Sequence, residues 1–290
     1  MIAEIRRRFH MLGLAVLSLV ILHTALGAKP EAGAKGVKNV ILLIADGASA
    51  AHLTLTRWYK GGAPLAMDAW VCGLVRTYGS NTPLTDSAPA ATAFASGFKS
   101  FTGFVGLLPQ QASMWGIDRK LETDSEERPL VTVLEAARLA GKSTGIVASC
   151  EIPHATPAAF SAHQDRRKDF EAIAEQQVYN GIDVVLAGGA MYLEAENRKD
   201  GEDLKAVLRS RGYQMVGSRE EMLAAAPGRL WGLFAREDMS FDLDRGPMEP
   251  SLAEMTAKAS PSCSAIKMVF FSWSRAARST GRRTTMNRSA

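Results

Sequence analysis

The chain has 290 residues, of which 47% are hydrophobic and 22% charged, so it is long and apolar enough to bury a sizeable core. Its formal net charge is +4, but residues 1–28 carry +2, residues 260–290 carry +6 and residues 29–259 carry −4. The basic balance therefore comes from the two ends, and we expect no nucleic-acid partner. The three cysteines have no C-x-x-C metal-site spacing, although Cys72 and Cys150 could pair in an oxidising compartment.

Residues 1–28 have the layout of a signal peptide. Three arginines at positions 6–8 precede the apolar run Met11–Leu22, and small residues follow it at positions 25, 27 and 28. The run is shorter than the roughly 18 residues that a membrane-spanning helix needs. A signal peptide is therefore favoured over a membrane anchor, and we expect a periplasmic or secreted protein with no stable anchor.

The unbroken apolar run Val40–Ala45 predicts a strand buried on both faces, and it ends in Asp46 and Gly47. Open α/β sheets place ligands at the carboxyl ends of their strands, where a carboxylate can hold a hard or borderline cation. An ordinary turn aspartate is the alternative interpretation of Asp46. The segment predicts a candidate metal ligand at a strand end.

The run Thr85–Ala93, T-D-S-A-P-A-A-T-A, places Ser87 between the carboxylate of Asp86 and a stretch of small helix formers. Ser87 would lie in the first helical turn, where unsatisfied N–H groups and the helix dipole favour a bound phosphate. An aspartate or serine before an alanine run is also an ordinary N-cap without chemistry. The segment alone leaves both interpretations open.

A third polar segment follows the predicted strand Thr144–Ser149. His154 and Thr156 should point the same way from an extended chain, and Asp165 should open a helix that continues through Gln177. Arginines 166 and 167 in its first turn offer guanidinium groups that can fork onto a phosphate. Taken singly, His154 is more often a structural hydrogen bonder and these arginines solvated charges.

The remaining elements complete an alternation of strands and helices with short connections. Helices are predicted over Leu130–Ala140, Glu202–Arg211 and Ser251–Lys258, a strand over Asp183–Ala187, and a long excursion over the site at Phe101–Glu127. This pattern predicts an α/β fold, a layered sheet of mostly parallel strands flanked by helices.

Together and in this order, the motifs D-G, T-D-S-A-x-x-A-T-A, H-A-T-P-A-A and A-H-x-x-x-R closely resemble the alkaline phosphatase family. The resemblance implies hydrolysis of phosphate monoesters through a phosphoserine intermediate, with Zn²⁺ and Mg²⁺ as cofactors. A homodimer is one assembly open to the intact family fold. No G-x-S-x-G elbow surrounds the serine, so a serine esterase is a distant alternative.

The resemblance also implies a role for each motif residue. Ser87 is similar to the nucleophile, which is also a metal ligand, and Asp46 to the carboxylate that bridges a zinc and a magnesium. Asp86 matches the residue that orients the arginine, and Arg167 matches the arginine that clamps phosphate. The remaining matches are the ligands of the third metal, His154 and Thr156.

The family takes its other zinc ligands from segments resembling V-E-G-x-x-D-W-x-x-H, D-H and a later histidine, none of which the sequence contains. Zinc needs three or four ligands. Reading the codons of Trp273–Asn287 one base earlier, with permitted third bases, yields Met-Val-Glu-Gly-Ser-Gln-Val-Asp-Trp-Ala-Ala-His-Asp-Asn-Glu. We therefore expect residues 29–259 to be the N-terminal part of the family domain, and residues 260–290 to be a disordered, out-of-frame tail.

Two other interpretations of the C-terminal stretch remain. It could be an ordinary disordered basic tail, or a patch for nucleic acid or a membrane surface. For the chain as a whole, the alternative to an enzyme is a non-catalytic phosphate- or metal-binding protein built on the same half-domain.

Overall fold

A computed structural model describes residues 39–109, 127–264 and 268–275, with the backbone alone for residues 261–264 and 268–275. One sheet has six strands, which are β1 (Val40–Asp46), β4 (Ser143–Glu151), β5 (Val184–Gly188), β6 (Gln214–Val216), β7 (Leu230–Leu233) and β8 (Met268–Arg275). They lie in the order β1-β8-β4-β5-β7-β6, and all neighbouring strands are parallel. A short antiparallel pair joins β2 (Leu107–Leu108) to β3 (Arg128–Pro129).

Helices cover both faces of the sheet. They are α1 (Ala50–Tyr59), α2 (Ser87–Ser96), α3 (Val133–Leu139), α4 (Ala155–Ala158), α5 (Phe170–Asn180), α6 (Leu204–Ser210), α7 (Arg219–Ala224) and α8 (Leu252–Ser264). One core contains residues of α2, α3, α5 and α6, and a second contains residues of α7 and α8. The predicted layered α/β fold with a parallel sheet is confirmed.

The strand β4 shows how the sheet serves both cores. Its residues Ile146 and Ala148 belong to the first core, whereas Val147 between them belongs to the second. All three are buried because successive side chains of a strand point to opposite faces, and each face here is covered by helices. Because both faces of β4 are buried, the middle of its sequence is a continuous apolar run rather than an alternation of apolar and polar residues.

The strand β1 lies where the sequence predicts it but is not buried on both faces, so that part of the prediction is wrong. Leu43 is 69% exposed, and none of the seven residues of β1 is fully buried. The physical reason is its position at the edge of the sheet, where β8 is its strand neighbour and the described helices cover its faces only in part.

The expected disorder of residues 260–290 is also wrong for two stretches. The helix α8 continues to Ser264, and the strand β8 lies between β1 and β4. Val269 pairs with Val40 on one side and with Thr144 on the other. The apolar run in residues 268–273 has the β-branched and aromatic composition that a buried parallel strand favours. Residues 276–290 lie outside the described residues.

Two helices begin later than the sequence predicts. Thr132 accepts a hydrogen bond from the backbone of Glu135 and forms a capping box with it, so α3 begins at residue 133 rather than 130. The helix α5 begins at Phe170 rather than Asp165, because the chain before it pairs with a neighbouring loop. Val105 and Gln164 exchange two backbone hydrogen bonds there.

Three expectations fall wholly or partly outside the described residues. These are the signal peptide at residues 1–28, most of the long excursion (residues 110–126) and the end of the C-terminal tail. In the part of the chain that the structure describes, no helix is both long and apolar enough to cross a membrane. Cys72 is exposed and Cys150 buried, and the two do not form a disulfide bond.

Exposed apolar side chains are concentrated between residues 40 and 84, where Trp58 is 73% and Trp70 80% exposed. Because such a surface favours association, we expect the chain to bind a hydrophobic dye and to self-associate as its concentration rises. Trp58→Lys and Trp70→Lys should lower both effects with little change in Tm, since neither side chain loses much burial. Dye fluorescence and sedimentation velocity measure the outcome.

The control is Leu139→Lys, at a similarly exposed position on α3. A soluble monomer with a sharp thermal transition and no dye binding would contradict the prediction.

Candidate functional site

The carboxylate of Asp46, the last residue of β1, is the point where three segments meet. The hydroxyl of Ser87 donates to its two oxygens at 2.9 and 3.2 Å, and the hydroxyl of Thr156 donates at 3.1 Å. Ser87 opens α2, and Thr156 lies in α4, the turn that follows β4. Since β1 and β4 are parallel to the same strand, their carboxyl ends meet at one edge of the sheet. The structure therefore brings together three of the predicted site residues.

The start of α2 distinguishes between an ordinary helix cap and a functional site. Asp86 stands at the N-cap position with an extended backbone, yet its side chain makes no capping hydrogen bond. Pro89 in the first turn has no N–H to donate. The free N–H groups that remain at this end belong to Ser87 and Ala88, beside the Ser87 hydroxyl.

The Asp86 carboxylate faces Arg167 instead of its own helix. Arg167 Nη1 donates to Asp86 Oδ2 at 2.9 Å, and the side chains are only 25% and 28% exposed. The backbone N–H of Gly103 approaches Asp86 Oδ1 at 3.4 Å. A single hydrogen bond from Nη1 orients the guanidinium beside the first turn of α2, and most of its other N–H donors remain available.

His154 lies beside the arginine rather than beside Asp46. Arg167 Nη2 donates to His154 Nε2 at 3.3 Å, so that nitrogen serves as an acceptor here. The predicted extended chain at His154 and Thr156 is wrong, because Ala155–Ala158 forms a helical turn with His154 at its N-cap position. The turn separates the two side chains, which reach different partners. The role of His154 as a metal ligand stays a prediction.

A histidine that the sequence analysis does not assign holds the segment before Arg167. His163 donates from Nδ1 to the carbonyl of Gly106 at 2.8 Å and from Nε2 to Glu135 at 2.9 Å. Gly106 has φ +61°, and a Cβ there would lie 2.3 Å from the carbonyl oxygen of Ala162. Only glycine allows this approach. The motif A-H-x-x-x-R contains this histidine, so the signal was in the sequence.

The two partners shift each other's protonation. Burial alone would lower the pKa of His163, but its hydrogen bonds to Glu135 and Gly106 raise that pKa above its usual 6.5. Burial would likewise raise the pKa of Glu135, but the hydrogen bonds from His163 and Thr132 lower it below its usual 4.5. Both ring nitrogens face acceptors, so the charged imidazolium fits this place best.

The donor atoms around Asp46 indicate which cations the described residues fit. Its carboxylate and the hydroxyls of Ser87 and Thr156 form an all-oxygen set, which suits magnesium. A two-zinc centre needs three or four ligands for each ion, usually including nitrogen or sulfur. The imidazole of His154, the predicted nitrogen ligand, faces Arg167 rather than this oxygen set. The set fits magnesium and leaves a zinc pair incomplete.

A second group of carboxylates lies elsewhere, at Glu175, Asp200 and Glu202. The fully buried guanidinium of Arg198 already lies against it, 3.5 Å from Glu175 and in closer contact with Asp200. A cation is therefore built into the cluster, and we assign it no metal role.

Comparisons with known proteins show the family to which the chain belongs. A family model described as alkaline phosphatase matches residues 37–272. Alkaline phosphatase 3 of Bacillus subtilis is 34% identical over 86% of this chain, and the repressible alkaline phosphatase of Saccharomyces cerevisiae is 36% identical over 77%. The matched regions cover 54% and 42% of those proteins. The chain spans about half the length of the curated relatives it matches.

Solved structures show the same fold. The alkaline phosphatase of Thermus thermophilus superposes with a TM-score of 0.70 at 30% identity, over 82% of this chain and 49% of that one. A mutant alkaline phosphatase from the Antarctic bacterium TAB5, described as having magnesium bound, superposes with a TM-score of 0.68 at 30% identity. It matches over 82% of this chain and 64% of its own.

The link between His163 and Glu135 should make stability depend on pH. Its contribution is complete where the carboxylate is ionised and the imidazole protonated, between the usual pKa values of 4.5 and 6.5. It should be lost as pH rises through the raised pKa of His163, and again as pH falls through the lowered pKa of Glu135. His163→Gln should reduce the free energy of unfolding by about 1–3 kcal/mol near pH 6, and by less at pH 9.

Urea unfolding from pH 4 to 10 measures this difference. The control is His52→Gln, which changes an exposed histidine on α1. A His163→Gln loss that is the same at pH 6 and pH 9 would contradict the assignment.

Proposed function

Since the chain belongs to the alkaline phosphatase family, we propose that it represents a metal-dependent phosphomonoesterase that forms a phosphoserine on Ser87. One observation carries the proposal above all. Asp86 occupies a helix-capping position but binds Arg167, while Ser87 binds the Asp46 carboxylate. A serine placed only to begin a helix would not need an oriented guanidinium beside it. In this arrangement Ser87 is the nucleophile, Asp46 the proton acceptor and Arg167 the phosphate clamp.

The chemistry is two displacements at phosphorus. In the first, Ser87 Oγ attacks the phosphorus atom, the bond to the ester oxygen breaks, and the alcohol leaves. In the second, water attacks the phosphoserine, the bond to Ser87 Oγ breaks, and inorganic phosphate leaves. Asp46 receives the hydrogen bond of the Ser87 hydroxyl, so it orients an oxygen lone pair for attack and accepts the hydroxyl proton, which the leaving alcohol oxygen takes up in turn. Cations bound here would supply neutralisation of the alkoxide and of the leaving oxygen.

Arg167 binds the phosphoryl group in this proposal. One edge of its guanidinium is held by Asp86, and the remaining N–H groups can donate to two phosphoryl oxygens. The free N–H groups of Ser87 and Ala88 add donors from the start of α2, where the helix dipole favours negative charge. Asp86 acts through Arg167 and is therefore a positioning residue.

The donor set around Asp46 supports magnesium binding, with Asp46 and Thr156 as ligands and His154 as a further ligand if its ring turns away from Arg167. Zinc needs donors beyond those described here. That shortfall favours the second candidate function, a non-catalytic phosphate- or metal-binding protein, for the chain as given. We also propose export to the periplasm or medium, on the basis of the signal-peptide layout of residues 1–28.

The back-translation supports a proposal about the gene. A frame slip near the codons of Ala259 and Ser260 would explain why the V-E-G-x-x-D-W-x-x-H segment is absent from residues 260–290 but is decoded, with permitted third bases, when the codons are read one base earlier. The family model matches through residue 272, so the matched region extends past the proposed slip.

We expect a one-base change near the codon of Ala259 to open a frame encoding V-E-G-x-x-D-W-x-x-H. The reason is that single-codon residues, Trp273 and Met286, limit the freedom of the back-translation that recovers this segment. Sequencing the genomic DNA across this codon tests the expectation. An early stop codon or unrelated sequence in that frame would overturn it.

We expect the 290-residue chain to hydrolyse p-nitrophenyl phosphate negligibly. The restored protein, translated from the frame that encodes V-E-G-x-x-D-W-x-x-H, should hydrolyse it at alkaline pH with zinc and magnesium. In the restored protein, Ser87→Ala should lower kcat at least about a thousandfold while metal content stays, because the nucleophile is lost. Asp46→Ala should lose both activity and metal. Arg167→Ala should weaken phosphate inhibition about a hundredfold with metal content unchanged. Turnover, phosphate inhibition and metal content are measured for each protein.

Two neighbours supply matched controls. Arg166→Ala removes an 82% exposed arginine beside Arg167, and Ser96→Ala removes a serine from the other end of α2. Both should retain activity. Chelator-sensitive turnover by the unrepaired chain, or full activity of Ser87→Ala, would contradict the assignments.

A further inference from the structure

A polar cavity of about 430 Å³ lies at the amino-terminal edge of the sheet, at the opposite end of the strands from Asp46. It is formed where β4, β5, β6 and β7 begin and where α3, α5 and α6 end. Ser143 is the first residue of β4 and Glu151 the last, so the strand spans roughly 25 Å at about 3.3 Å per residue. The cavity is therefore a separate place from the site at the carboxyl ends.

The cavity is strongly basic. Arg138, Lys142, Arg211 and Arg229 line it, and Asp183 is the acidic residue among its lining groups. That carboxylate is already engaged, because Oδ2 accepts from the backbone of Thr144 at 3.0 Å and Oδ1 lies 3.7 Å from Arg229. An excess of positive charge faces the cavity and attracts an anion.

Part of this charge has an ordinary explanation, since basic side chains are favourable at the C-terminal ends of helices. Arg211 donates to the carbonyls of Val178 and Tyr179 at the end of α5, at 3.2 and 3.4 Å. Its guanidinium also lies 4.5 Å from the Tyr179 ring centroid. Arg138 differs, because within the described part of the chain its guanidinium donates to no acceptor. Its five N–H donors remain available to a ligand.

The preference for basic residues at helix ends does not explain the buried hydroxyl of Ser143. Ser143 lines the cavity and is 1% exposed, and its hydroxyl has no hydrogen-bond partner among the described residues. A buried hydroxyl without a partner is unfavourable, because nothing compensates the loss of its hydrogen bonds to water. A ligand oxygen in the cavity would accept its proton and remove that penalty.

We propose that this cavity binds the phosphate group of a small ligand, either inorganic phosphate or a phosphate monoester. Arg138 forks onto two phosphate oxygens, and Ser143 donates to one of them. Arg229, placed 5.5 Å from the Tyr213 ring centroid and beside Asp183, adds charge from the other wall. The site does not rest on the proposed catalytic function, because it shares no residue with it.

The test measures phosphate binding with the catalytic site disabled. The Ser87→Ala, Arg167→Ala double variant is dialysed to equilibrium with radiolabelled inorganic phosphate and, separately, with ribose 5-phosphate, in the presence of a chelator. One saturable site is expected for at least one of these probes. In that background Arg138→Gln and Ser143→Ala should each weaken binding about tenfold, as expected for a lost hydrogen bond to a charged group.

Two comparisons keep the result decisive. Arg209→Gln removes an exposed positive charge from the same end of α6 without touching the cavity, and it should leave binding unchanged. Ser143→Ala loses no hydrogen bond of the protein, so its Tm should not fall. Saturation by ribose 5-phosphate alone would identify an ester as the ligand, and saturation by inorganic phosphate would identify the free anion. Binding of neither probe, or an equal loss in Arg209→Gln, would overturn the proposal.

Discussion

The carboxylate of Asp46 joins the parts of the site that are furthest apart in the sequence. It ends the first strand of the sheet, and it accepts hydrogen bonds from Ser87 and Thr156, which lie 41 and 110 residues later. Each donor comes from the start of a helix, where the chain leaves the edge of the sheet. The parallel arrangement of the strands makes this convergence possible, because all their carboxyl ends face one side.

The two carboxylates nearest to Ser87 in this site have different hydrogen-bond partners. Asp46 accepts from its hydroxyl, whereas the adjacent Asp86 is turned to Arg167. Neither satisfies the N–H groups at the start of α2, so those groups stay available to an anion. His163 helps to fix the position of Arg167, since it hydrogen-bonds to Gly106 and Glu135 and so anchors the chain just before the arginine. The described residues thus hold Arg167 and the start of α2 in place, whereas the all-oxygen donor set around Asp46 does not by itself complete a zinc pair.

Sequence reasoning predicts the elements that depend on local pattern and misses those that depend on distant partners. Apolar runs predict β1, β4 and β5, and the small residues after Ser87 predict α2. The burial of β1 could not be predicted, because exposure depends on position within the sheet. Asp165 resembles a helix start, yet tertiary pairing of Gln164 with Val105 delays that helix. Conversely, the proximity of Ser87 to Asp46 follows from strand order, which the motifs imply only through the family resemblance.

The position of β8 between β1 and β4 has a consequence for the order of folding. Val40 pairs with Val269, so the first described strand finds its neighbour in the sheet only after 229 further residues have been made. Such a high contact order slows folding, because loop closure is unfavourable before the strand pairs form. A nascent chain emerging from the ribosome must therefore keep β1 unpaired until β8 has been synthesised. A substitution near residue 270 that slows the formation of β8 would also delay the pairing of β1. Asp46, the last residue of β1, would then reach its place in the sheet later.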